Sequence, residues 1–336
     1  MKILLITTGG TIASSRGKEG LVPTLPGEEL AEKVPGLKDA ADFDIINVFS
    51  KESSNMNPDD WLAIIRVLDE NKEKYDGFVI SHGTDTMSYT ASALSFVLRN
   101  LNRPVIFTGS MIPIDEPETD AKKNLLDSFL YIRALSDRGQ NGVSICFYGK
   151  LMHGPRTKKM SGKINNAFHS IFYEDIGKIE NGKAVILKKP FIDKATFIRQ
   201  KDTRFSRNIL PVKLYPGFSA SYFDRMLDIK PAAVVIECFG LGGLPYMGEN
   251  LLPSAKKAIS HGIITVITTQ CLEGGVDIST CDVGQKSLKI GAISALDMGY
   301  EAIIAKLMWL LPQVPGEGIG EYMAHNFCDE VGRHWQ

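Results

Sequence analysis

The sequence predicts an α/β fold, with a large, doubly wound and mainly parallel sheet domain followed by a smaller α/β domain. The first observation is the opening segment, residues 3–13, where an uncharged, branched run stops at two glycines and a threonine. Such a run is typical of a parallel strand covered on both faces. The second is the regular alternation of strand and helix patterns, which favours a doubly wound sheet. The third is a break in that alternation near residues 191–210, after which it resumes.

The domain boundaries follow from length and from this break. A chain of 336 residues exceeds most single cores, so two domains are expected. We predict an N-terminal catalytic domain at 1–190, a linker at 191–210 and a C-terminal domain at 211–336. The linker is placed where charged residues crowd with little periodicity, namely Asp193, Lys194, Arg199, Lys201, Asp202, Arg204 and Arg207.

Charge and cysteine content exclude several classes of partner. The formal net charge of −1 gives no broad basic surface for nucleic acid or anionic lipid. The five cysteines are scattered and odd in number, so they predict neither a disulfide framework nor a paired metal site. The N-terminus reads as the first strand rather than a signal peptide, and no stretch approaches the length of a membrane span. We therefore expect a cytoplasmic protein without metal.

Each element of the first half is predicted from its own pattern. After the opening strand, further strands are expected at 43–49, 77–81, 104–108 and 143–148. Helices are expected at 27–34, from Pro58 with acidic residues in its first turn, around 87–98, and from a cap at Asp120 through Leu135. In the second half, strands are expected at 212–217, 232–236 and 263–267, and helices from Ala220, at 254–260, from about Met298 and from Ile319.

The glycine turn after the first strand admits two interpretations. Strand–Gly–Gly is common at dinucleotide or phosphate sites, but the G-x-G-x-x-G spacing is absent here. Residues 14–27 contain two prolines and three glycines, so no helix N-terminus opens on the turn to hold a phosphate. We instead predict that this stretch is a mobile loop closing over the hydroxyl of Thr11.

Polar residues follow several of the predicted strands at their carboxyl ends. They are Thr11, Ser53 with Ser54, Thr84 with Asp85, and Lys159 beyond the fourth strand end, in the basic loop 156–159. Because the carboxyl ends of parallel strands lie on one edge, these side chains are expected to converge on one pocket. A hydroxyl, a base and turn amides suit acyl transfer, and a lysine shielded from water can serve as the base.

Taken singly, each of these residues is better explained by a structural role. Thr11 could be a turn threonine, and Asp85 could cap a helix. Lys159 could belong to a solvated loop. His82 is expected to be structural rather than catalytic, and the cysteines to be buried small apolar residues. Only the combination at successive strand ends favours a catalytic site.

The combination also resembles a known family. The segments TGGTIA at 8–13 and HGTDTM at 82–87 resemble the two signature motifs of bacterial-type L-asparaginases, at the expected separation. The resemblance continues through GSMIP at 109–113 and TQC at 269–271, and it covers essentially the whole chain. It points to the cytoplasmic, type I branch of the asparaginase/glutaminase family.

The resemblance implies a role for each matching residue. Thr11 matches the nucleophilic threonine, while Thr84, Asp85 and Lys159 match a set in which lysine activates the second threonine. The implied substrate-binding residues are Gly10, Glu52, Ser53, Ser54, Thr84, Asp85 and Ser110. The implied reaction is hydrolysis of asparagine to aspartate and ammonia through an acyl-threonine, without cofactor or metal. The family's members assemble as dimers or tetramers, with sites between the large domain of one subunit and the small domain of its neighbour.

Three positions depart from the family pattern. Leu21 stands where many members carry a tyrosine beside the nucleophile, and Gly243 stands where many carry asparagine. The regulated members have a threonine at the position of Lys158 and an arginine at that of Glu237. The implied effector region here comprises Lys158, Glu237, Thr269, Gln270 and Cys271. Since glutamate would repel the carboxylate of an effector, we expect no tight second site for asparagine; Lys158 and Glu237 could pair instead.

Other functions stay open at this point. A related subunit of the transamidation complex that makes glutaminyl-tRNA shares the fold and threonines but carries an extra N-terminal domain, whereas here the catalytic strand starts at Ile3. Leu21 favours a non-catalytic protein that senses an amino acid through the same pocket. Some activity on glutamine is also expected, because a pocket discriminates weakly against one extra methylene.

Overall fold

The computed structural model describes residues 1–17, 20–23, 25–194 and 204–332. The chain divides into two compact units, Met1–Ala195 and Thr196–Gln336. Residues 195–203 of the predicted linker lie outside the described residues. The first strand of the second unit begins at Ile209, so the last two residues of the predicted linker belong to that strand.

Most strands of the first unit form one eight-stranded sheet. In the described part of this unit the strands are β1 (Lys2–Gly9), β2 (Ser14–Gly17), β3 (Gly20–Pro23), β4 (Asp42–Lys51), β5 (Gly77–Ser81), β6 (Pro104–Thr108), β7 (Gly142–Phe147), β8 (Lys150–His153), β9 (Thr157–Lys159), β10 (Phe168–Ser170), β11 (Gly177–Glu180) and β12 (Lys183–Ile186). The large sheet has the order β12-β11-β8-β7-β6-β5-β1-β4. The neighbouring strands β4, β1, β5, β6 and β7 pair in parallel. The strands β8, β11 and β12 continue the sheet beyond β7, and each pairs antiparallel with its neighbours.

The strand order places a crevice at β1. The chain passes from β1 to β4 on one side and then to β5 on the other, so the order reverses at β1. In open α/β sheets, ligands bind outside the carboxyl ends of the strands at such a switch point. Thr11, Ser53 and Thr84 follow closely after these three strands.

The helices of the first unit cover the sheet with apolar faces. Among the described residues they are α1 (Gly27–Glu32), α2 (Leu37–Ala40), α3 (Pro58–Asn71), α4 (Met87–Val97) and α5 (Ala121–Ser136). Helix α3 begins with a capping box, in which the Asn57 side chain accepts from the helix and Asp60 accepts from the Asn57 amide. Helix α5 packs on the sheet through Leu125, Phe129 and Ile132, which are fully buried.

The predicted fold class is confirmed, and several local predictions are corrected. Residues 14–27 are not simply an irregular loop, because β2 and β3 pair as an antiparallel hairpin in which Ser14 faces Pro23. The basic segment 156–159 is likewise ordered, with a 3₁₀ turn at Gly154–Arg156 followed by β9, and Arg156 is fully buried. Asp120 stands at the N-cap position of α5, but its carboxylate accepts hydrogen bonds from the Met111 and Ile112 amides.

The second unit contains its own parallel sheet. In its described part the strands are β13 (Ile209–Lys213), β14 (Ala233–Cys238), β15 (Ile264–Thr269) and β16 (Ile293–Ser294), paired in that order, and the helices are α6 (Ala220–Leu227), α7 (Leu252–Ser260), α8 (Asp282–Lys289), α9 (Tyr300–Leu310) and α10 (Ile319–Ala324). The sequence patterns missed α8, which is polar and contains a glycine, and β16, which has only two residues. A fully buried ion pair between Lys306 and Glu330, 2.6 Å long, attaches the C-terminal segment to α9.

Candidate active site

The two glycine-containing turns of the first unit meet backbone against backbone. A methyl group added at Gly10 would lie 2.4 Å from the Cα of Gly83, and one added at Gly83 would lie 2.7 Å from the Oγ of Ser53. Gly10 also has φ of +83°, a conformation that residues with a Cβ rarely adopt. Only glycines allow the three loops after β1, β4 and β5 to approach this closely.

Thr11 lies directly after this contact, on a short 3₁₀ turn. The turn spans Thr11–Ala13 and is anchored through Gly10, whose carbonyl accepts from the Ala13 amide and the Ser14 hydroxyl. The Gly10 amide donates to the Lys51 carbonyl over 3.0 Å, which joins the turn to the end of β4. Thr11 itself is half-buried, so its hydroxyl is held on a fixed backbone at the edge of the crevice.

Lys159 joins Thr84 and Asp85 into one network. Its Nζ lies 2.7 Å from Thr84 Oγ1 and 2.6 Å from Asp85 Oδ1. Thr84 is buried and the side chain of Lys159 is 17% exposed, whereas that of Asp85 is 60% exposed. The arrangement couples an amine to a shielded hydroxyl and leaves the carboxylate open to a ligand.

The loop after β4 supports the same turn. Ser53 Oγ accepts from the Asp85 amide over 3.0 Å, and the Ser54 hydroxyl donates to Asp85 Oδ2 over 3.2 Å. The hydrogen bond from Lys159 lowers the pKa of Asp85, and the Ser54 hydrogen bond acts in the same direction, while partial burial opposes them. Asp85 is therefore a carboxylate at neutral pH.

The prediction for Lys159 was right about proximity to the site but wrong about the strand. Lys159 does not follow a strand of the parallel sheet. It lies on β9, which pairs antiparallel with β10 in a separate two-stranded sheet, with Lys159 opposite Phe168. A three-residue strand of threonine and lysines lacks the apolar alternation that predicts strands, so its pairing could not be inferred from the sequence.

Ser110 and Glu52 are not held by the lysine network. The Ser110 hydroxyl donates to the Ile112 carbonyl within its own loop and is fully buried. That loop is packed beneath the turn after β5, because a methyl group at Gly109 would lie 2.4 Å from the His82 carbonyl. Glu52 is exposed, and its carbonyl accepts from the Asn55 amide.

The sequence did not identify the hydrogen-bonded chain behind the site. His82 Nδ1 lies 2.7 Å from the Gly83 carbonyl, and Nε2 lies 3.0 Å from the hydroxyl of Thr90 on α4. Trp61 Nε1 of α3 donates to the same hydroxyl over 3.0 Å. Complete burial lowers the pKa of His82 to about 4, so the ring is neutral, in line with the structural role that the sequence predicted.

The effector-region residues of the second unit lie at the carboxyl edge of its sheet. Gln270 Nε2 donates to the carbonyls of Leu214 and Glu237, and Thr269 Oγ1 donates to the Gly240 carbonyl. Cys271 is exposed. The carboxylate of Glu237 lies 4.0 Å from Lys213. Lys158 belongs to the first unit, on β9, so its pairing with Glu237 stays a prediction.

The local backbone explains the glycine at position 243. Gly243 has φ of +112°, and a methyl group there would lie 2.7 Å from the Gly284 amide nitrogen of α8. The local backbone therefore excludes asparagine at this position. Leu21 lies in β3, where its backbone pairs with that of Arg16.

The described part of the chain offers neither a metal cluster nor a membrane-spanning helix. Within the described ranges, no three histidine, cysteine or acidic side chains are grouped so that they could hold a metal ion. Within the same ranges, no helix combines the length and apolar character needed to cross a membrane.

Comparison with known proteins gives a family for both parts of the chain. The model of the asparaginase N-terminal domain matches residues 2–192. The model of the glutaminase/asparaginase C-terminal domain matches residues 208–317. The boundary between the two compact units falls in the interval between these matches.

Individual relatives extend this match over the whole chain. An L-asparaginase from Thermococcus kodakarensis is 36% identical over 334 residues, covering 98% of this chain and 99% of that protein. A solved structure of a thermostable L-asparaginase from Thermococcus kodakarensis superposes with a TM-score of 0.88 at 35% identity, covering 98% of this chain and 99% of that chain. L-asparaginase I from Vibrio cholerae gives a TM-score of 0.84 at 32% identity, covering 98% of each chain. A glutamyl-tRNA(Gln) amidotransferase subunit from Pyrococcus abyssi is 33% identical, covering 98% of this chain and 76% of that protein.

The fold, the threonine–lysine–carboxylate network and these matches define the class of protein, which is an amidohydrolase. Within that class the chain belongs to the asparaginase family, and the resemblance noted in the sequence is confirmed. The similarity to an L-asparaginase I agrees with the predicted type I branch.

Proposed function

We propose that this protein is an L-asparaginase, which hydrolyses L-asparagine to L-aspartate and ammonia. The observation that carries the proposal is the contact of Lys159 with both Thr84 and Asp85, beside the glycine turn that presents Thr11. Asparagine offers an amide to a hydroxyl nucleophile and a charged amine to a carboxylate, and the site holds both partners. The similarity to L-asparaginases over the full chain adds support.

In the proposed reaction Thr11 is the nucleophile. Its Oγ attacks the side-chain amide carbon of asparagine while its proton passes to a base. The tetrahedral intermediate collapses by breaking the C–N bond, and the departing nitrogen takes a proton and leaves as ammonia. Water then attacks the resulting ester of Thr11, which releases aspartate and restores the threonine hydroxyl.

The proposed base is the pair formed by Thr84 and Lys159. The Thr84 hydroxyl can pass a proton to Nζ across 2.7 Å and so accept one from a nucleophile at the crevice. Leu21 has no hydroxyl and takes no part in proton transfer. The exposed carboxylate of Asp85 binds the substrate amine, and the hydroxyls of Ser53 and Ser54 donate to the substrate carboxylate. The family resemblance places Gly10, Glu52 and Ser110 around the same pocket.

Amidotransferase activity is a second candidate function, favoured by the similarity to the glutamyl-tRNA(Gln) amidotransferase subunit. The chain spans 76% of that protein's length and 99% of the L-asparaginase's. The purified protein should release ammonia from asparagine alone. Release that requires glutamyl-tRNA and a partner protein would support the second candidate, and binding of asparagine without any release would indicate a sensor.

Ammonia release also tests the nucleophile. Thr11→Ala should lower kcat by at least about 1,000-fold with the fold intact, since covalent catalysis is lost. Thr11→Ser keeps a hydroxyl and serves as the matched control, with a much smaller loss. Wild-type turnover in the alanine variant would show that Thr11 is not the nucleophile.

We further propose self-association as a homodimer or homotetramer, and a cytoplasmic location. Both proposals rest on the family resemblance. Light scattering coupled to size-exclusion chromatography measures the first directly, and a monomeric mass at assay concentration would contradict it.

A further inference from the structure

His82 occupies a buried position between the sheet and the reactive turn. It follows the last residue of β5 and precedes Gly83, Thr84 and Asp85 in the chain. The residue is fully buried, its amide donates to the Thr108 carbonyl, and its ring stands edge-on to that of Phe107 at 5.8 Å. These contacts enclose the ring within the first unit.

The hydrogen bonds of the ring fix its tautomer. A carbonyl oxygen can only accept, so Nδ1 must carry the proton that is donated to Gly83. In the neutral ring Nε2 must then accept, and its donor is the Thr90 hydroxyl. The Thr90 hydroxyl lies closer to Nε2, at 3.0 Å, than to its other acceptor, the Thr86 carbonyl, at 3.3 Å, and its oxygen accepts from Trp61 Nε1. The imidazole, the hydroxyl and the indole N–H are therefore all paired.

The hydrogen-bonded chain of Trp61, Thr90 and His82 ends at the carbonyl of Gly83. Gly83 has no side chain, and its backbone is free to adopt conformations closed to other residues. Yet the contacts of Gly83 with Gly10 and Ser53 require one position of this peptide, because each gap is too small for a methyl group. The bond from His82 to the Gly83 carbonyl supplies the missing constraint.

We propose that His82 is a positioning residue for the candidate active site. Its neutral ring, held by Thr90 and Trp61, fixes the Gly83 peptide and thereby the turn from which Thr84 and Asp85 reach Lys159. The ring does not touch the reacting atoms and transfers no proton. The effect on turnover rests on the proposed asparaginase function, whereas the effect on the turn does not.

Four variants test the proposal. His82→Leu removes both ring hydrogen bonds, and His82→Asn keeps a donor near the position of Nδ1. Thr90→Val keeps the volume but removes the hydroxyl, and it remains informative if the leucine variant does not fold. Thr265→Val is the matched control, because Thr265 is an equally buried threonine in the second unit whose hydroxyl bonds the Ile263 carbonyl.

Turnover and hydrogen exchange are measured on the same proteins. We expect kcat on asparagine to fall about 100-fold in His82→Leu and about 10-fold in Thr90→Val, with recovery in His82→Asn and no loss in the control. The pH profile should keep its shape in every variant, since His82 stays neutral. The Asp85 amide donates to Ser53 Oγ, and its hydrogen exchange should be fastest in His82→Leu and intermediate in Thr90→Val.

The outcomes separate the two proposals. If His82→Leu and Thr90→Val matched Thr265→Val in both kcat and Asp85 exchange, the positioning role would be wrong. A lost limb of the pH profile in His82→Asn would also overturn it, because His82 would then be a proton carrier. If the wild-type protein released no ammonia from asparagine, the proposed function would fail, and amide exchange alone would still decide the positioning role.

Discussion

The main sheets of the two units both carry polar residues at the carboxyl ends of their parallel strands but use them differently. At the carboxyl edge of the first sheet, the side chains of Thr84 and Asp85 each bind the side chain of Lys159, which reaches them from β9. At the carboxyl edge of the second, the side chains of Thr269 and Gln270 donate to backbone carbonyls.

This difference in hydrogen-bond partners makes the edge of the first sheet reactive and the edge of the second sheet structural. A hydroxyl or amine that bonds another side chain can exchange that partner for a substrate without disturbing the backbone. An amide that bonds two carbonyls cannot leave without exposing both of them, which costs about 1–3 kcal/mol for a buried group. Position at the end of a parallel strand is therefore not enough to predict chemistry, and the partner of each polar side chain decides it.

The largest expected effect is on turnover at the first edge. Lys159→Met should reduce kcat on asparagine by about 1,000-fold or more, because the base is lost, while the melting temperature changes little. Lys158→Met is the matched control on the same strand and should retain turnover; equal activity of both variants at every pH would make Lys159 an ordinary surface charge.

The second prediction concerns the stability of the first unit as pH falls. Burial lowers the pKa of His82 from 6.5 to about 4, so between these pH values the unfolded chain binds a proton that the folded chain does not. The resulting stabilisation is present above pH 6.5 and is lost as pH falls toward 4, by about 3 kcal/mol. Denaturant unfolding should show this loss in the wild type and not in His82→Leu. Parallel pH dependences in the two proteins would contradict the buried neutral ring.

The third prediction tests the structural edge. Gln270→Met should lower the free energy of unfolding by about 2 kcal/mol, because the carbonyls of Leu214 and Glu237 lose a donor. The rate of asparagine hydrolysis by the folded protein should stay within about twofold of the wild-type value. A large loss of turnover without destabilisation would show that Gln270 acts in the reaction and would break the distinction between the two edges.

The last prediction is that asparagine hydrolysis shows no cooperativity. The family resemblance matches Glu237 to the arginine of regulated members, and a glutamate there would repel the carboxylate of an effector. The rate should therefore depend hyperbolically on asparagine concentration. A Hill coefficient clearly above one in initial-rate measurements would reveal an effector site and would mean that the matching of Lys158 and Glu237 is wrong.

The sequence predicted best those elements that are buried on every side. The strands at 77–81 and 104–108 agree with β5 and β6 to the residue, because each is an unbroken apolar run between turn residues. The sequence missed β8, β11 and β12, which have four residues each and mixed polarity. Their pairing depends on a distant partner strand, and such short strands carry no periodicity to reveal it.

The predicted site illustrates the same limit. The three loops after β1, β4 and β5 meet as expected, since strand order alone brings them together. For His82 the sequence predicted only a structural role. Its hydrogen-bond partner Thr90, and Trp61 behind Thr90, lie on two helices whose packing the sequence does not specify. The closeness of Gly10 to Gly83 likewise depends on tertiary contact and could not be inferred from either motif alone.

The most direct measurement asks which hydroxyl carries the acyl group. Wild-type protein mixed with asparagine and quenched in acid within one turnover is digested, and its peptides are analysed by mass spectrometry. We expect an aspartyl ester on the peptide that contains Thr11 and none on the peptide that contains Thr84. An ester on Thr84, with Thr11 unmodified, would contradict the assignment of nucleophile and base at this edge of the sheet.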